Sequence, residues 1–195
     1  MRKSGILLHI SSLPSPYGIG TLGKEAYKFV DFLENSAQKV WQVLPIGHTS
    51  YGDSPYQAYS SYGGNPYFID LDFLCEAGLI EKNDLKAISR EKDEDRVDYG
   101  FLYETRYPLL KKAAEKFLEK PDAEFYTFLA ENTLWLEDYA SFMALKESMD
   151  GKGREEWSKD FRVKNEKCEL LSDEKTKNLY KKSQTDGLHG EFHMI

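Results

Sequence analysis

The chain has 195 residues, of which 41% are hydrophobic and 14% aromatic, and its formal net charge at pH 7 is −7. This length fits one domain or one and a half, and the acidic balance disfavours nucleic acid or an anionic membrane as a partner. The longest apolar runs are too short for a bilayer span or a secretory signal, so we expect no membrane association and a cytoplasmic protein.

The first seventy residues contain a strand, a helix and a second strand. Gly5 to Ile10 and Val40 to Gly47 are short apolar runs, and Pro45 stops the second one. Between them, Lys24 to Asn35 carries apolar residues at helical spacing. The predicted apolar stripe consists of Leu22, Ala26, Phe29, Val30 and Leu33. This order predicts a βαβ unit with parallel strands, whose ligand sites lie at the carboxyl ends of the strands.

The stretch Ser50 to Phe68, which follows the second strand, has an unusual composition. Its nineteen residues include five tyrosines, three glycines and two prolines, and its one charged residue is Asp53. Gly and Pro exclude a packed helix, and a disordered linker would not hold so many aromatic residues. The composition therefore predicts an ordered loop that displays rings. Rings beside hydroxyls suit sugars, and because a buried tyrosine hydroxyl needs a partner, we expect at least one ring to face a ligand.

The rest of the chain is predicted to be mainly helical after a short possible strand at YFIDL. Helices are predicted over Leu74 to Ala77 with a Gly78 cap, over Tyr103 to Leu118, from an Asp122 cap to Asn132, and through TLWLEDYASFMALKESM. The segment SREKDEDRVD is predicted to be a charged loop. We thus divide the chain into residues 1–70, a helical part at 71–163, and a charged, poorly ordered tail at 164–195.

The loop after the first strand contains a glycine pattern that is typical of nucleotide sites. Gly18, Gly20 and Gly23 spell G-x-G-x-x-G between a strand and a helix, as in a dinucleotide site. However, two prolines separate them from the strand, and no acidic residue closes the second strand, so a plain glycine loop is the simpler interpretation.

Cys75 and Cys168 lie far apart without metal-ligand spacing, which predicts two reduced thiols.

The histidines offer a weak metal hypothesis. His9 and His48 follow the two strands and could meet as a metal pair, but no carboxylate or cysteine is patterned with them. A hydrogen-bonded His9 and an exposed His48 are the simpler interpretation. His189 and His193 bracket Gly190 in the tail, so we predict no metal site there.

Two carboxylates lie in or next to the stretch Ser50 to Phe68, which we call the tyrosine loop. A glycosidic reaction needs two carboxyls on opposite sides of the bond, and Asp53 and Asp70 are the nearest candidates. Asp53, next to Ser54, more simply turns the loop through an Asx hydrogen bond.

Several segments resemble the N-terminal part of the 4-α-glucanotransferases, the amylomaltase or disproportionating-enzyme family, glycoside hydrolase family 77. They are GILLHISSLPSPYGIGTLGKEAYKFVDFL, WQVLPIG, YGDSPYQAYSSYGGNPYFIDL and, more loosely, VDYGFLYETRYPLLKKA and LEDYASFMALK. The matching segments run in family order across Arg2 to Phe161. One departure is His48, which stands where the family usually has Pro.

The resemblance implies an α/β fold, the N-terminal part of a (β/α)8 TIM barrel with an inserted, mostly helical subdomain, and hence an incomplete barrel. It implies retaining transfer of α-1,4-glucan segments to another glucan or glucose, with an Asp nucleophile and a Glu acid and base. These carboxylates lie on later strands in that family. We therefore expect no catalytic residue, metal ligand or cofactor in this chain.

The resemblance also implies binding residues. Ser54 by hydrogen bonding and Tyr56 by stacking match positions that line the donor cleft, while Tyr51 and Tyr103 match a second glucan-holding surface outside the cleft. The expected partners are α-1,4-glucans, maltodextrins and glucose.

Two further polar residues are weaker candidates for the same site. Gln57 and Asn65 either orient the loop or meet sugar hydroxyls. The alternative to a piece of a transferase is a non-catalytic glucan-binding module that uses the same aromatic platform. The sequence does not indicate an oligomeric state.

Overall fold

The computed structural model describes residues 2–89 and 96–157. The chain divides into two compact units, Met1–Pro121 and a second that begins at Asp122. The predicted tail, with Cys168, His189 and His193, lies outside the described residues, as does most of the predicted charged loop. The division at residues 70 and 163 stays a prediction.

The first unit begins with the predicted βαβ arrangement. Strand β1 (Gly5–Leu7) pairs in parallel with strand β2 (Val40–Gln42), with Gly5 opposite Val40, and helix α1 (Lys24–Asn35) connects them. The bounds of α1 are those that the sequence predicts. The parallel pair is therefore confirmed.

Both strands are shorter than predicted, because side chains and turns take over their backbone groups. The Leu8 carbonyl accepts a hydrogen bond from the indole Nε1 of Trp41 at 2.7 Å, and a 3-10 turn follows at Ile10–Ser12. Ladder pairing beyond Leu7 is reduced to one backbone bond, from the Leu8 N–H to the Gln42 carbonyl.

Helix α1 packs on the strands through part of its predicted stripe. Ala26 and Leu33 are buried, and the ring of Phe29 lies edge-on to Trp41 with centroids 4.9 Å apart. The prediction is wrong for the two remaining members, which are exposed: Leu22 and Val30. The contact face of α1 is thus narrower than the apolar periodicity indicates.

The helices that follow in this unit are α2 (Leu71–Glu76), α3 (Lys82–Ile88), α4 (Tyr99–Phe101) and α5 (Tyr107–Leu118). The possible strand at YFIDL is wrong, because this stretch forms a 3-10 turn at Pro66–Phe68 and then enters α2. The Asp70 carboxylate accepts from the N–H groups of Asp72 and Phe73, so α2 begins earlier than predicted.

Gly78 ends α2 as predicted. It adopts a positive φ of 74°, and the Leu79 N–H donates to the Leu74 carbonyl, which closes the helix end. Helix α3 was not predicted. Its start is stabilised by the Asp84 carboxylate, which accepts from the Glu81 N–H at 2.9 Å.

The predicted helix from Tyr103 begins four residues earlier and is not uniform. The Asp98 carboxylate caps α4 by accepting from the Phe101 N–H at 3.0 Å. A π-helical segment, Leu102–Arg106, then joins α4 to α5. Such segments are rare and often lie at functional sites.

The hydrophobic core of this unit joins separate parts of the chain. Its buried members are Ile10, Leu13, Ile19, Ala26, Tyr67, Phe68 and Leu102. They come from the turn after β1, from the glycine loop, from α1, from the end of the tyrosine loop and from the π segment. The core therefore fixes the tyrosine loop and the π segment beside the carboxyl end of β1.

The second unit contains the two helices predicted there, α6 (Ala123–Glu131) and α7 (Leu136–Ser148). Asp122 caps α6 as predicted, since its carboxylate accepts from the Phe125 N–H at 2.8 Å. Trp157 is buried and packs on Phe142, with ring centroids 5.5 Å apart. Across the described part of both units, no helix is long and apolar enough to cross a membrane.

Candidate functional site

The tyrosine loop is closed at its base by backbone hydrogen bonds. Antiparallel bridges pair Gly47 with Gly64 and Thr49 with Ala58, and the Asn65 N–H donates to the Ile46 carbonyl at 2.8 Å. An added Cβ at Gly47 would lie 2.7 Å from the Ala58 Cβ, so glycine allows the two sides to approach. The loop is therefore ordered, as its composition predicts.

The loop lies at the carboxyl ends of both strands. It begins a few residues after β2, and at its far end the Phe68 ring meets the His9 ring, which follows β1, edge-on at 5.3 Å. This is the position that parallel α/β folds use for ligands.

The loop tip is a tight turn. Gly52 and Asp53 have positive φ values of 92° and 54°, and the Asp53 N–H donates to the Ser50 carbonyl at 3.0 Å. The predicted Asx hydrogen bond of Asp53 is wrong. Instead, the Ser54 hydroxyl accepts from the Tyr56 N–H at 3.4 Å, a long contact, while the half-buried Asp53 carboxyl has its pKa raised by burial.

Three of the five loop tyrosines point outward. Tyr51 is 98% exposed and Tyr56 is 73% exposed, and Tyr62 is also exposed. Tyr59 is half-buried against His48, and Tyr67 is buried in the core. The predicted display of rings is confirmed, whereas their ligand stays a prediction.

A fourth outward ring comes from the π segment. Tyr103 is 65% exposed and stacks on Tyr107, with ring centroids 5.9 Å apart and planes 14° apart. The Lys111 ammonium lies 5.5 Å from the centre of the Tyr107 ring. The pair forms a flat aromatic surface.

Tyr67, near the end of the tyrosine loop, faces a ring of helix α4. Its ring lies 6.2 Å from that of Tyr99. Burial raises the pKa of the Tyr67 hydroxyl to about 12, and the nearby Asp53 carboxylate and Tyr103 hydroxyl add to the shift. The Tyr67 and Tyr99 rings therefore join the tyrosine loop to the helical segment that carries Tyr103.

The predicted polar residues divide between the surface and the interior. Gln57 is exposed, and its backbone carbonyl accepts from the Ser50 N–H at 2.8 Å. Asn65 is buried, and its side-chain oxygen accepts from the Tyr67 N–H at 3.0 Å. Of the two roles considered for Asn65, this contact supports orientation of the loop.

Both histidine interpretations need correction. His48 is half-buried rather than exposed, since its ring lies edge-on to Tyr59 at 5.4 Å, and burial lowers its pKa to about 4. The buried Nδ1 of His9 has no hydrogen-bond partner within the described ranges, although a hydrogen-bonded His9 was predicted. No group of three potential metal ligands occurs among residues 2–89 and 96–157.

The Asp70 carboxylate occupies the glycine loop, the segment from Gly18 to Gly23. Asp70 accepts a hydrogen bond from the Thr21 hydroxyl at 2.6 Å, and an added Cβ at Gly23 would lie 1.8 Å from an Asp70 oxygen. Gly23 precedes α1, so Asp70 occupies the helix N-terminus where a dinucleotide phosphate would bind. The second carboxylate of the catalytic hypothesis is thus engaged in structural hydrogen bonds.

One residue that sequence reasoning missed is Arg106. Its side chain is fully buried, its Nη2 donates to the Ile69 carbonyl, and burial lowers its pKa to about 10. A signal was present in the sequence, because Arg106 is spaced helically between the apolar residues Leu102 and Leu110.

Comparisons with known proteins place this site in context. A family model described as 4-alpha-glucanotransferase matches residues 8–185. The chain is 51% identical to the 4-alpha-glucanotransferase of Streptococcus pneumoniae over 157 residues, which are 80% of this chain and 31% of that protein. It is 46% identical to the 4-alpha-glucanotransferase of Thermus thermophilus over 171 residues, 86% of this chain and 33% of that protein.

A solved structure is similar over the whole chain. The amylomaltase from Streptococcus agalactiae, in complex with acarbose, superposes with a TM-score of 0.83 at 41% identity. The match covers 100% of this chain and 38% of that one. The chain thus spans about a third of the length of the proteins that it matches.

Proposed function

Because the chain belongs to the 4-alpha-glucanotransferase family, we propose that it is the N-terminal portion of an enzyme that transfers α-1,4-glucan segments between malto-oligosaccharides. Glucose and maltodextrins are the proposed partners, and the cytoplasm is the proposed compartment. The acarbose bound to the Streptococcus agalactiae amylomaltase supports a glucan-like ligand for this chain.

The contribution of this portion is to hold the glucan. The observation that carries the proposal is the exposure of Tyr51 and Tyr56 on a hydrogen-bonded loop, beside the exposed Tyr103. Aromatic rings fixed in this way stack on the flat apolar faces of glucose units, and each contributes on the order of 1 kcal/mol. We assign Tyr56 and Ser54 to the donor cleft, and Tyr51 and Tyr103 to a second surface. Gln57 and Asn65 support the loop between them.

We also propose that β1 and β2 are the first two strands of a (β/α)8 barrel and that residues 71–163 form an inserted helical subdomain. Parallel strands are normally covered on both faces. Leu7 and Val40, one on each strand, are apolar and exposed, which supports further strands or helices beside them.

The catalytic carboxylates lie outside these 195 residues in this proposal. A retaining transfer needs two carboxyl groups about 5 Å apart on either side of the scissile bond. Asp70 accepts hydrogen bonds from the Thr21 hydroxyl and from the start of α2, which supports a structural role for this carboxylate.

A binding and turnover experiment on the purified chain tests this function. We expect calorimetric titration to detect maltoheptaose binding, and we expect no glucose release from maltotriose. Glucose release, free of host enzyme, would show that this portion holds the catalytic groups. Absence of any glucan binding would contradict the proposed holding role.

The second candidate function is a glucan-binding module without chemistry. The same exposed rings favour it, because they need no carboxylate pair to bind a glucan. A sharp, cooperative thermal transition of the purified chain would support an independent module. The open strand pair predicts instead a broad, weakly cooperative transition.

A further inference from the structure

Arg106 is buried on the apolar face of a helix, where a charge is unfavourable. Its side chain is fully buried within the first unit. Burial of an unpaired charge is strongly unfavourable, whereas an apolar side chain of similar volume is often neutral or stabilising there. Stability alone therefore does not explain an arginine at this position.

The guanidinium is only partly used by its surroundings. Its Nη2 donates to the Ile69 carbonyl, while Nε and Nη1 have no hydrogen-bond acceptor within the described ranges. Asp70 is close enough to favour the charged form electrostatically, but its oxygens accept from Thr21 and from the start of α2. Among residues 2–89 and 96–157, the hydrogen-bond acceptor of the guanidinium is thus the Ile69 carbonyl.

That contact joins the end of the tyrosine loop to the π segment that carries Tyr103. Ile69 directly follows the 3-10 turn Pro66–Phe68, which ends the tyrosine loop. Arg106 ends the π segment and lies three residues after Tyr103. Because a π segment winds differently from an α-helix, Tyr103 points outward here while Arg106 points into the core.

We propose that Arg106 is a positioning residue for glucan binding, whose buried hydrogen bond to Ile69 fixes the Tyr103 ring relative to the tyrosine loop. The inference rests on the proposed function of these rings. An apolar residue at position 106 would fill the space but leave the Ile69 carbonyl without this donor. The π segment would then shift along the loop, and the Tyr103 ring would lose its fixed position relative to the loop.

The experiment is a double-mutant cycle with Arg106→Met and Tyr103→Ala, read by calorimetric titration with maltoheptaose. Loss of one stacking contact is expected to weaken binding roughly fivefold. We expect Arg106→Met to reproduce most of that loss. In the double variant we expect little further loss, because the substitutions remove the same contact. Arg106→Met combined with Tyr56→Ala should instead show independent, additive losses.

Leu110→Ala is the matched control. Leu110 is fully buried on the same helix and carries no polar group, so its truncation destabilises the fold without removing the Ile69 contact. An equal loss of maltoheptaose affinity in Leu110→Ala would overturn the proposal, as would additive losses for Arg106→Met and Tyr103→Ala. If Arg106→Met fails to fold, Arg106→Lys, which keeps a donor, enters the same cycle and should lose less affinity.

A second readout separates this proposal from the proposed function. In protein labelled with 3-fluorotyrosine, the Tyr103 resonance is identified by its absence in Tyr103→Phe. We expect Arg106→Met to shift or broaden it and Leu110→Ala to leave it in place. If the wild-type chain binds no glucan, the proposed function fails, but this resonance still reports whether Arg106 positions Tyr103. An unchanged resonance in Arg106→Met would overturn the positioning role.

Discussion

The Asp70 carboxylate accepts a hydrogen bond from the Thr21 hydroxyl at 2.6 Å, across 49 residues of sequence. Its other oxygen accepts from the Asp72 and Phe73 N–H groups at the start of α2. One side chain therefore ties the glycine loop to the end of the tyrosine loop. It also lies close enough to Arg106 to stabilise the positive charge.

We predict that Asp70→Ala is more destabilising than an ordinary loss of a helix cap. Loss of a capping side chain costs about 1 kcal/mol, and loss of a hydrogen bond to a charged group costs about 1.5–3 kcal/mol more. Asp122→Ala is the control, because Asp122 caps α6 through one described bond to the Phe125 N–H. Denaturant unfolding should rank Asp70→Ala well below Asp122→Ala, and equal losses would contradict the tie to Thr21.

Substitutions of the exposed tyrosines should differ in how their effect on affinity depends on glucan length. We expect Tyr56→Ala to weaken binding of both maltotriose and maltoheptaose roughly fivefold, because its ring is assigned to the donor cleft. Tyr51→Ala and Tyr103→Ala should weaken only the longer glucan. Tyr126→Ala, which removes an exposed ring from α6, should change neither affinity. Equal losses on both glucans for the three site variants would contradict two separate surfaces.

His48 should make stability depend on pH in the acid range. Burial lowers its pKa from 6.5 to about 4, so the unfolded chain binds this proton more readily than the folded one. Stability is therefore complete above about pH 6.5, falls as the pH drops towards 4 and levels off below it. The total loss in the free energy of unfolding is on the order of 2 kcal/mol.

His48→Gln is the variant that isolates this term. His9 has its pKa lowered by burial and acts in the same direction, whereas the pKa of Asp53 is raised and acts in the opposite one. The difference between wild type and His48→Gln removes both contributions. The difference in unfolding free energy between wild type and His48→Gln should change as the pH falls from 6.5 to 4. A constant difference over this range would show that His48 has the same pKa in the folded and unfolded chain.

Two glycines should respond to alanine with opposite signs. An added Cβ at Gly20 would lie 2.1 Å from the Ile10 carbonyl oxygen, a backbone atom that cannot move aside. We expect Gly20→Ala to destabilise the chain by more than about 1 kcal/mol. At Gly100, within α4, the nearest atom would be 3.4 Å away, so Gly100→Ala should stabilise by up to about 1 kcal/mol. Thermal unfolding of both variants measures the signs.

Much of the first unit follows from local sequence signals. The stripe of α1, the apolar runs of the strands and the Gly78 cap predict their elements, because periodicity and φ preference act locally. The strand at YFIDL is wrong since Asn65 and Asp70 each accept backbone N–H groups, and this favours helical turns over extended chain. Helix α3 has only seven residues, so its two buried apolar residues, Leu85 and Ile88, make too short a period to predict it.

The candidate site divides in the same way. The composition of the loop predicts its order and its outward rings, but not which tyrosine enters the core. Asn65 starts a 3-10 turn that aims Tyr67 inward, and the ring then packs among residues distant in sequence, such as Leu102. This long-range packing leaves no mark on the loop composition. The same holds for His48 and Arg106, whose burial depends on residues distant in sequence.

The π segment Leu102–Arg106 fixes how many residues this part of the chain can contain. A π turn is an α-helix that has taken in one extra residue, and deletion of that residue would rotate one side of the helix by about 100° relative to the other. Either the Asp98 cap or the Arg106 side chain would then leave its partner. A related chain that lacks one residue here therefore presents its aromatic ring in another direction, even where every aligned residue is identical.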